Sequence, residues 1–580
     1  MTLVCALAAI CLYIQKPRAE APVTLVETSA AAAFLNHTAE APVASTNRLF
    51  ALTTQSETAT VSIDLQPAGR DLIADWQFDT PRTVLTFSGD TTAPEQRLSD
   101  WSLDQRTWAF DGETLRRKDG TSFDRLRIRL QPSTQFIDRH YIPLSQVGDA
   151  GWLLRVNALM PDDETLDIGF SGFPPETVLL KDAKKSGLSR QSFPDDSSVL
   201  FIGPSSYLTE GATQIIADPD MPIWASMFMI DQYDAAYKKL SALFGKPSAK
   251  NPTLVYSWQS GGALKHTKAS VTNGMMVFHF RGYRDDREDM WLKQTLAHQV
   301  FHEAVHYWNA STYVSDAGAD QPWLHEGIAD YLAARLLLSR REFAETAQEA
   351  LINCQLSIRH EGLLQGTDHP YQCGFLVNLI AETALYAETG ETIVDVWQDI
   401  FSQSPSGRYS VESFREKVTR RLSPGSQNLI HDLLDGRAFD TSMLDRDALT
   451  AIGIKTQSVS NASGGRLPGW VLEQLLNDHC SGPSGFLPAP DGYYLDTGNH
   501  CGFELSGDHK ITHVNQVSML TAPAEAYRSV RRTCRQGGRI EFIAVGEKLL
   551  FPVKCGDSLA RLPDLFEISA LPRLPELSPN

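Results

Sequence analysis

Residues 302–306 read His-Glu-Ala-Val-His, and residues 323–331 read Trp-Leu-His-Glu-Gly-Ile-Ala-Asp-Tyr. The residues before the first motif have helical apolar periodicity, which predicts that the motif lies on a helix. Residues four apart on a helix share one face, so His302 and His306 can direct their imidazoles to one metal ion. Glu303 lies about 100° further round the helix. It can therefore take a proton from a metal-bound water instead of acting as a third equivalent ligand.

A third ligand is needed, and the second motif supplies it. Glu326 opens another helical pattern about twenty residues after His306, and Asp330 follows one turn later on the same face. Glu326 can complete the site, while Asp330 can accept a hydrogen bond from the outer nitrogen of a ligand imidazole. Imidazole and carboxylate ligands with a fourth position for water suit zinc. The sequence predicts one Zn²⁺ ion, which lowers the pKa of its bound water.

Two other interpretations of these residues remain. His298 lies four residues before His302 and offers a rival pair, but no glutamate follows it directly, so we expect it to be a packing or surface residue. Glu326 and Asp330 can also be a carboxylate pair on the exposed face of an amphipathic helix. The occurrence of both motifs at this separation favours the metal site.

The 580 residues suggest three to four domains. Short alternating strands separated by Pro, Gly and Asp predict a β-sandwich-like N-terminal domain. A strand segment and then a series of helical patterns follow, with strands near 253–257 and 275–280. The pattern of the last part, from about residue 465, again predicts β-strands. We therefore predict a multidomain α+β protein, with a signal peptide at 1–21, a linker or lead-in at 22–46, and domains at 47–212, 213–440 and 441–580.

Charge and the N-terminal residues bear on partners and compartment. The formal net charge of −18 argues against a nucleic-acid partner, since phosphate binding needs a basic surface. The apolar run at residues 2–14 is shorter than the roughly 20 residues that span a bilayer, so no stable transmembrane span is predicted. Residues 19–21, Ala-Glu-Ala, have the small-residue spacing of a signal-peptidase site. We expect an exported protein, periplasmic or secreted, or one with an N-terminal membrane tether; an ordinary frayed terminus is the alternative.

Six cysteines would remain after signal removal, in three pairs of neighbours along the chain: Cys354, Cys373, Cys480, Cys501, Cys534 and Cys555. An even number in an exported chain suggests disulfides, although six cysteines allow fifteen connectivities. Nearest-neighbour pairing is one of these, and six buried free thiols in a cytosolic protein are the alternative.

The two motifs together resemble those of the gluzincin metallopeptidases. Thermolysin has the same order, His-Glu-x-x-His, then Glu, then Asp four residues on. The Trp-Leu-x-Glu-Gly-x-Ala segment is similar to the alanyl-type aminopeptidases. His306-Tyr307-Trp308-Asn309 resembles the glycyl aminopeptidase family, PDZ-containing gluzincins whose second histidine is followed by x-Trp-Asn. The resemblance covers about residues 250–380 and implies a thermolysin-like, mainly helical catalytic domain at 213–440.

The resemblance also implies two further parts of the active site. Residues 370–374, Pro-Tyr-Gln-Cys-Gly, are similar to a Pro-Tyr-x-x-Gly motif whose tyrosine hydroxyl donates to the oxyanion, so Tyr371 is expected to do so; a core tyrosine is the equal alternative. Residues 261–266, Gly-Gly-Ala-Leu-Lys-His, resemble a substrate edge, Gly-Gly-x-Leu-Glu-His, whose backbone pairs with an extended peptide. Its residues here are Gly261, Gly262, Ala263 and Lys265.

Lys265 departs from the family pattern, in which a glutamate helps to hold the free amine of the substrate. A lysine repels an ammonium group, which favours an acidic group on the substrate or cleavage away from the N-terminus. A solvated loop lysine is the alternative interpretation.

The region from residue 507 onward resembles a degenerate PDZ domain, which implies a groove for a peptide end. A small β domain held by disulfides that shields the catalytic unit is the alternative. We expect zinc-dependent hydrolysis of peptide bonds in peptide or protein substrates, and the resemblance implies that the activity is aminopeptidase-like. The open alternatives are an endopeptidase, another amide or ester hydrolase, and a catalytically silent zinc-containing scaffold that binds peptide. The sequence does not set the oligomeric state.

Overall fold

The computed structural model describes most of the chain after residue 59, in the ranges 60–87, 92–133, 141–162, 165–181, 184–193, 198–209, 213–247, 252–260, 266–272, 274–283, 290–316, 321–357, 363, 369–403, 407–435, 445–480, 485–496, 501, 509–544 and 550–577. The signal peptide and lead-in predicted at 1–46 lie outside the described residues. So does the predicted substrate edge at 261–265.

The described helices are α1 (Pro94–Asp100), α2 (Ile223–Phe244), α3 (Met290–His306), α4 (Pro322–Leu337), α5 (Arg340–Ser357), α6 (Pro370–Thr389), α7 (Ile393–Ser402), α8 (Val411–Thr419), α9 (Pro424–Asp435), α10 (Arg446–Ala451), α11 (Leu467–His479), α12 (Pro523–Arg535) and α13 (Asp557–Ala560). The strands of the N-terminal part are β1 (Thr60–Ala68), β2 (Asp71–Arg82), β3 (Val84–Thr86), β4 (Trp101–Ser102), β5 (Trp108–Phe110), β6 (Thr114–Arg117), β7 (Phe123–Leu130), β8 (Leu144–Val147), β9 (Gly151–Arg155), β10 (Thr165–Phe170), β11 (Thr177–Lys181), β12 (Lys184–Ser186), β13 (Gln191–Phe193) and β14 (Val199–Pro204). The later strands are β15 (Leu208–Thr209), β16 (Gln214–Ala217), β17 (Thr253–Gln259), β18 (His266–Thr272), β19 (Met275–Arg281), β20 (Val314–Ser315), β21 (Arg408–Tyr409), β22 (Lys455–Ser458), β23 (Gly485–Ala489), β24 (Gly492–Asp496), β25 (His509–Val514), β26 (Val517–Ser518), β27 (Arg539–Ala544), β28 (Leu550–Lys554) and β29 (Phe566–Ala570).

The N-terminal part is built from β-sheets that share one apolar core. A six-stranded sheet has the order β13-β10-β1-β2-β7-β4, and a five-stranded sheet has the order β12-β11-β14-β9-β8. Strand β7 follows the predicted alternation, because Leu126, Ile128 and Leu130 are buried while the arginines between them are exposed. The inward residues of both sheets belong to the same cluster. The prediction of a β-rich N-terminal part is confirmed.

The helical part begins with a five-stranded sheet of order β15-β16-β17-β19-β18. Strands β16, β17 and β19 are parallel, and β18 lies antiparallel at the edge. The two predicted strands correspond to β17 and β19, whereas β16 and β18 were not predicted. Strand β18 contacts α3 directly, because the Gln299 side-chain amide donates to Thr267 Oγ1 at 2.6 Å. The sheet edge therefore lies beside the helix that carries the first motif.

Helices α4 and α6 cross with their backbones in contact at a pair of glycines. A Cβ atom added to Gly327 would lie 2.2 Å from Gly374 Cα, and one added to Gly374 would lie 2.0 Å from the Trp323 carbonyl oxygen. Neither position can carry a side chain without moving a helix. The crossing joins the start of α6, which holds Tyr371, to the segment of α4 that holds Glu326.

The C-terminal part differs from its prediction at one point. The pattern from about residue 465 predicts a return to β character, with a helical stretch only near residues 523–532, but Leu467–His479 also forms a helix, α11, which packs its apolar residues into the core of this part. Strands β23, β24, β25, β27 and β28 form one sheet in that order, with β26 paired to β25, whereas β29 pairs with β22. The multidomain α+β class is confirmed, while the PDZ-like assignment and the domain boundaries stay predictions.

Disulfides link each pair of neighbouring cysteines: Cys354–Cys373, Cys480–Cys501 and Cys534–Cys555. The first disulfide joins α5 to α6, and its Cys373 lies two residues after Tyr371. Among the described helices, none is both long enough and apolar enough to cross a membrane.

The glycine crossing predicts a strong effect of one methyl group. Gly327→Ala should lower the free energy of unfolding by about 1–3 kcal/mol, because the added carbon overlaps the backbone of α6. The midpoint of thermal unfolding measures this. Gly425→Ala is the matched control, since no atom lies within 4 Å of its Cβ position. Equal midpoints for the two variants would contradict the close crossing.

Candidate metal centre

The two predicted motifs meet in the folded chain at one buried point. His302 and His306 project from the last turns of α3, and Glu326 projects from the second turn of α4. The His302 Nε2 atom lies 3.1 Å from His306 Nε2 and 3.0 Å from Glu326 Oε2, and His306 Nε2 lies 3.3 Å from the same oxygen. Tetrahedral zinc ligands at 2.0–2.1 Å from the ion lie about 3.3 Å apart. These three atoms therefore fit a single zinc ion.

The outer nitrogens of both imidazoles have oxygen partners. His302 Nδ1 lies 2.7 Å from Asp330 Oδ1, and His306 Nδ1 lies 2.9 Å from Asn309 Oδ1. With a proton on each Nδ1 atom, both Nε2 atoms present lone pairs to the same point, as metal ligation requires. The structure thus places Asp330 against His302, as expected.

The electrostatics of the centre favour positive charge. Burial lowers the pKa of His302, but the charge of Asp330 and the hydrogen bonds that His302 donates to Asp330 and Glu326 outweigh burial and raise the pKa well above its usual value. Burial raises the pKa of Glu326, but the charge of His306 and hydrogen bonds from the histidines hold it well below its usual value. These pKa shifts show that the residues of the site favour positive charge, which bound protons can supply. A divalent ion can supply the same positive charge.

Glu303 is buried beside the three ligand residues. Burial raises the pKa of its carboxyl group, with the charges of Glu326 and Asp330 adding to the rise and those of His302 and His306 opposing it. Its Oε2 atom has no hydrogen-bond partner among the described residues. A carboxylate oxygen left open next to a metal site can accept a proton from bound water.

Tyr371 lies at the start of α6, with its ring centroid 5.8 Å from that of His302. The side chain is 8% exposed. Its helix is fixed there by the Gly327–Gly374 crossing and by the Cys354–Cys373 disulfide. The Tyr371 ring therefore lies beside His302, next to the candidate metal centre.

Three further residues lie close to the candidate ligands: His298, His325 and Asn309. His298 is buried in the core, with Nε2 3.9 Å from Asp330 Oδ1 and away from the ligand triangle. His325 Nε2 lies 3.2 Å from Glu326 Oε1. Asn309 belongs to the π-helical turn Tyr307–Thr312 that follows His306. The sequence signal for Asn309 is the Trp-Asn pair after the second histidine, which indicates a family resemblance but no contact for the asparagine.

Comparison with known proteins concerns the fold. No known family profile matches the chain, and no curated protein sequence matches it. An aminopeptidase N family protein of Idiomarina loihiensis is similar in structure, with a TM-score of 0.52 and 12% identity over 88% of this chain and 98% of that one. An M1 zinc metallopeptidase of Deinococcus radiodurans gives 0.37 and 15% identity over 66% of this chain and 94% of that one. Yeast LTA4 hydrolase gives 0.37 and 11% over 72% of each chain. The first of these shows that the chain shares the fold of that protein.

The geometry predicts one divalent ion per chain. Elemental mass spectrometry of purified protein should find it, and His306→Ala or Glu326→Ala should remove it, because only two ligand residues would remain. His298→Ala is the matched control, a buried histidine of the same helix that should leave the metal content unchanged. A loss of metal from the control, with retention in the other two variants, would contradict the ligand assignment.

Proposed function

We propose that this protein is a zinc-dependent hydrolase of peptide bonds with aminopeptidase-like activity. The observation that carries the proposal is the convergence of two imidazole nitrogens and one carboxylate oxygen within 3.0–3.3 Å of one another, beside the open carboxylate of Glu303. The similar Idiomarina protein is described as an aminopeptidase N family protein. We extend that activity to this chain as part of the proposal.

The residues divide the reaction between them. When bound, zinc supplies Lewis acidity, which lowers the pKa of a coordinated water and polarises the scissile carbonyl. Glu303 takes the proton from the water and later delivers it to the leaving amine. Tyr371 donates its hydroxyl hydrogen to the carbonyl oxygen as negative charge develops there. Asp330 holds His302 in its ligating orientation.

Lys265 favours a second candidate within the same chemistry. The family that this sequence resembles has a glutamate at that position for the amine of the substrate, and a lysine repels an amine. This exchange favours an endopeptidase, or a substrate with an acidic group near the cleaved bond. Residue 265 lies outside the described residues, so the choice depends on the sequence alone.

A digested peptide library, analysed by mass spectrometry with and without a zinc chelator, tests the reaction and its polarity together. Glu303→Gln should lower kcat about 10²- to 10⁴-fold with the metal retained, since it removes the proton acceptor. Glu349→Gln, at a half-buried glutamate of α5 that pairs with Arg466, is the control and should stay active. Undiminished hydrolysis by the Glu303 variant would refute the assigned base. Loss of residues from free N-termini alone would support the aminopeptidase, whereas cleavage of N-terminally blocked peptides would support the endopeptidase.

The role of Tyr371 has its own test. Tyr371→Phe should lower kcat about 10²- to 10³-fold and change KM little, because the hydroxyl acts only as charge develops on the oxygen. Tyr386→Phe serves as the control, because Tyr386 lies on the same helix and is 39% exposed. A rise in KM at constant kcat would instead assign Tyr371 to substrate binding.

A further inference from the structure

Asn309 makes two side-chain hydrogen bonds that link the metal ligands of α3 and α4. It is buried on the π-helical turn directly after His306. Its Oδ1 atom lies 2.9 Å from His306 Nδ1, and its Nδ2 atom donates to the His325 carbonyl oxygen at 2.8 Å. His325 precedes Glu326, so the amide spans from one ligand residue to the backbone next to another.

The polarity of this link is fixed by the backbone. A carbonyl oxygen can only accept a hydrogen bond, so the nitrogen end of the Asn309 amide must face His325. The oxygen end then faces His306. Because that oxygen can only accept, the His306 Nδ1 atom must carry the hydrogen. The Nε2 atom of His306 is consequently left with its lone pair in the neutral imidazole.

The opposite tautomer would block the site. A hydrogen on His306 Nε2 would point at the place where His302 Nε2 and Glu326 Oε2 converge, 3.1 and 3.3 Å away. Asn309 is itself held in place, because the Tyr409 hydroxyl donates to its carbonyl oxygen at 2.7 Å. The π-helical turn and the start of α4 therefore fix the Asn309 amide, and the amide fixes the orientation of the His306 imidazole.

We propose that Asn309 is a positioning residue that selects the metal-binding tautomer of His306, using the His325 carbonyl as its reference. The inference rests on the proposed zinc site. It also distinguishes the two histidines: Asp330 holds His302 with a charged acceptor, whereas an amide of fixed polarity holds His306. A carboxylate at position 309 would still accept from His306 but could not donate to His325.

Zinc affinity, measured by competition with a chromogenic chelator, tests this without recourse to activity. Asn309→Ala should weaken zinc binding about 10- to 100-fold, the usual effect of losing a partner of a ligand histidine. Asn309→Asp keeps the acceptor for His306 and should stay within about tenfold of wild type. Asn378→Ala is the matched control, since Asn378 is equally buried and also makes two side-chain hydrogen bonds, to the Gly374 carbonyl at 2.8 Å and from Trp397 Nε1 at 3.2 Å. It should leave zinc affinity unchanged.

The outcomes separate this inference from the proposed function. Zinc binding by Asn309→Ala equal to that of wild type would overturn the role of Asn309 and leave the zinc site standing. Failure of wild-type protein to bind zinc would overturn both. Should the alanine variant not fold, the aspartate variant decides: affinity within tenfold of wild type supports the tautomer role, and a larger loss overturns it.

Discussion

Three electron-pair donors held 3.0–3.3 Å apart in a buried place are the constraint on which the candidate site depends. Such a cluster is costly to bury unless positive charge lies among its members. The surrounding residues also favour a cation here, because a carboxylate oxygen and an amide oxygen accept hydrogen bonds from the outer nitrogens of the two imidazoles. The helical part of the fold can be understood as the scaffold that brings these donors together from two helices.

The candidate ligand residues could be proposed from the sequence because helical spacing is a local property. A spacing of i, i+4 places the two histidines on one helix face whatever the rest of the chain does, and the second motif provided the remaining carboxylate. The helical character of the central part could also be predicted from its apolar periodicity. The class of the whole chain followed from the change between alternating and helical patterns.

Long-range contacts account for what the sequence did not reveal. Strand β18 is a sheet edge whose pairing depends on β19. Helix α11 begins Leu467-Pro468-Gly469, and a Pro-Gly pair is typical of a turn. The role of Asn309 depends on a π-helical turn and on a carbonyl sixteen residues further along the chain. The crossing of α4 and α6 depends on two glycines far apart in sequence. None of these relations is visible in a single window of residues.

The glycine crossing also bears on the search for relatives in genomes. Gly327 directly follows the ligand Glu326, and Gly374 lies three residues after Tyr371. Because each Cβ position overlaps the opposing backbone, selection can alter neither residue while the helices stay at this distance. The paired pattern Glu-Gly and Tyr-x-x-Gly is therefore a steric fingerprint. It can trace descent where overall identity has decayed too far for alignment.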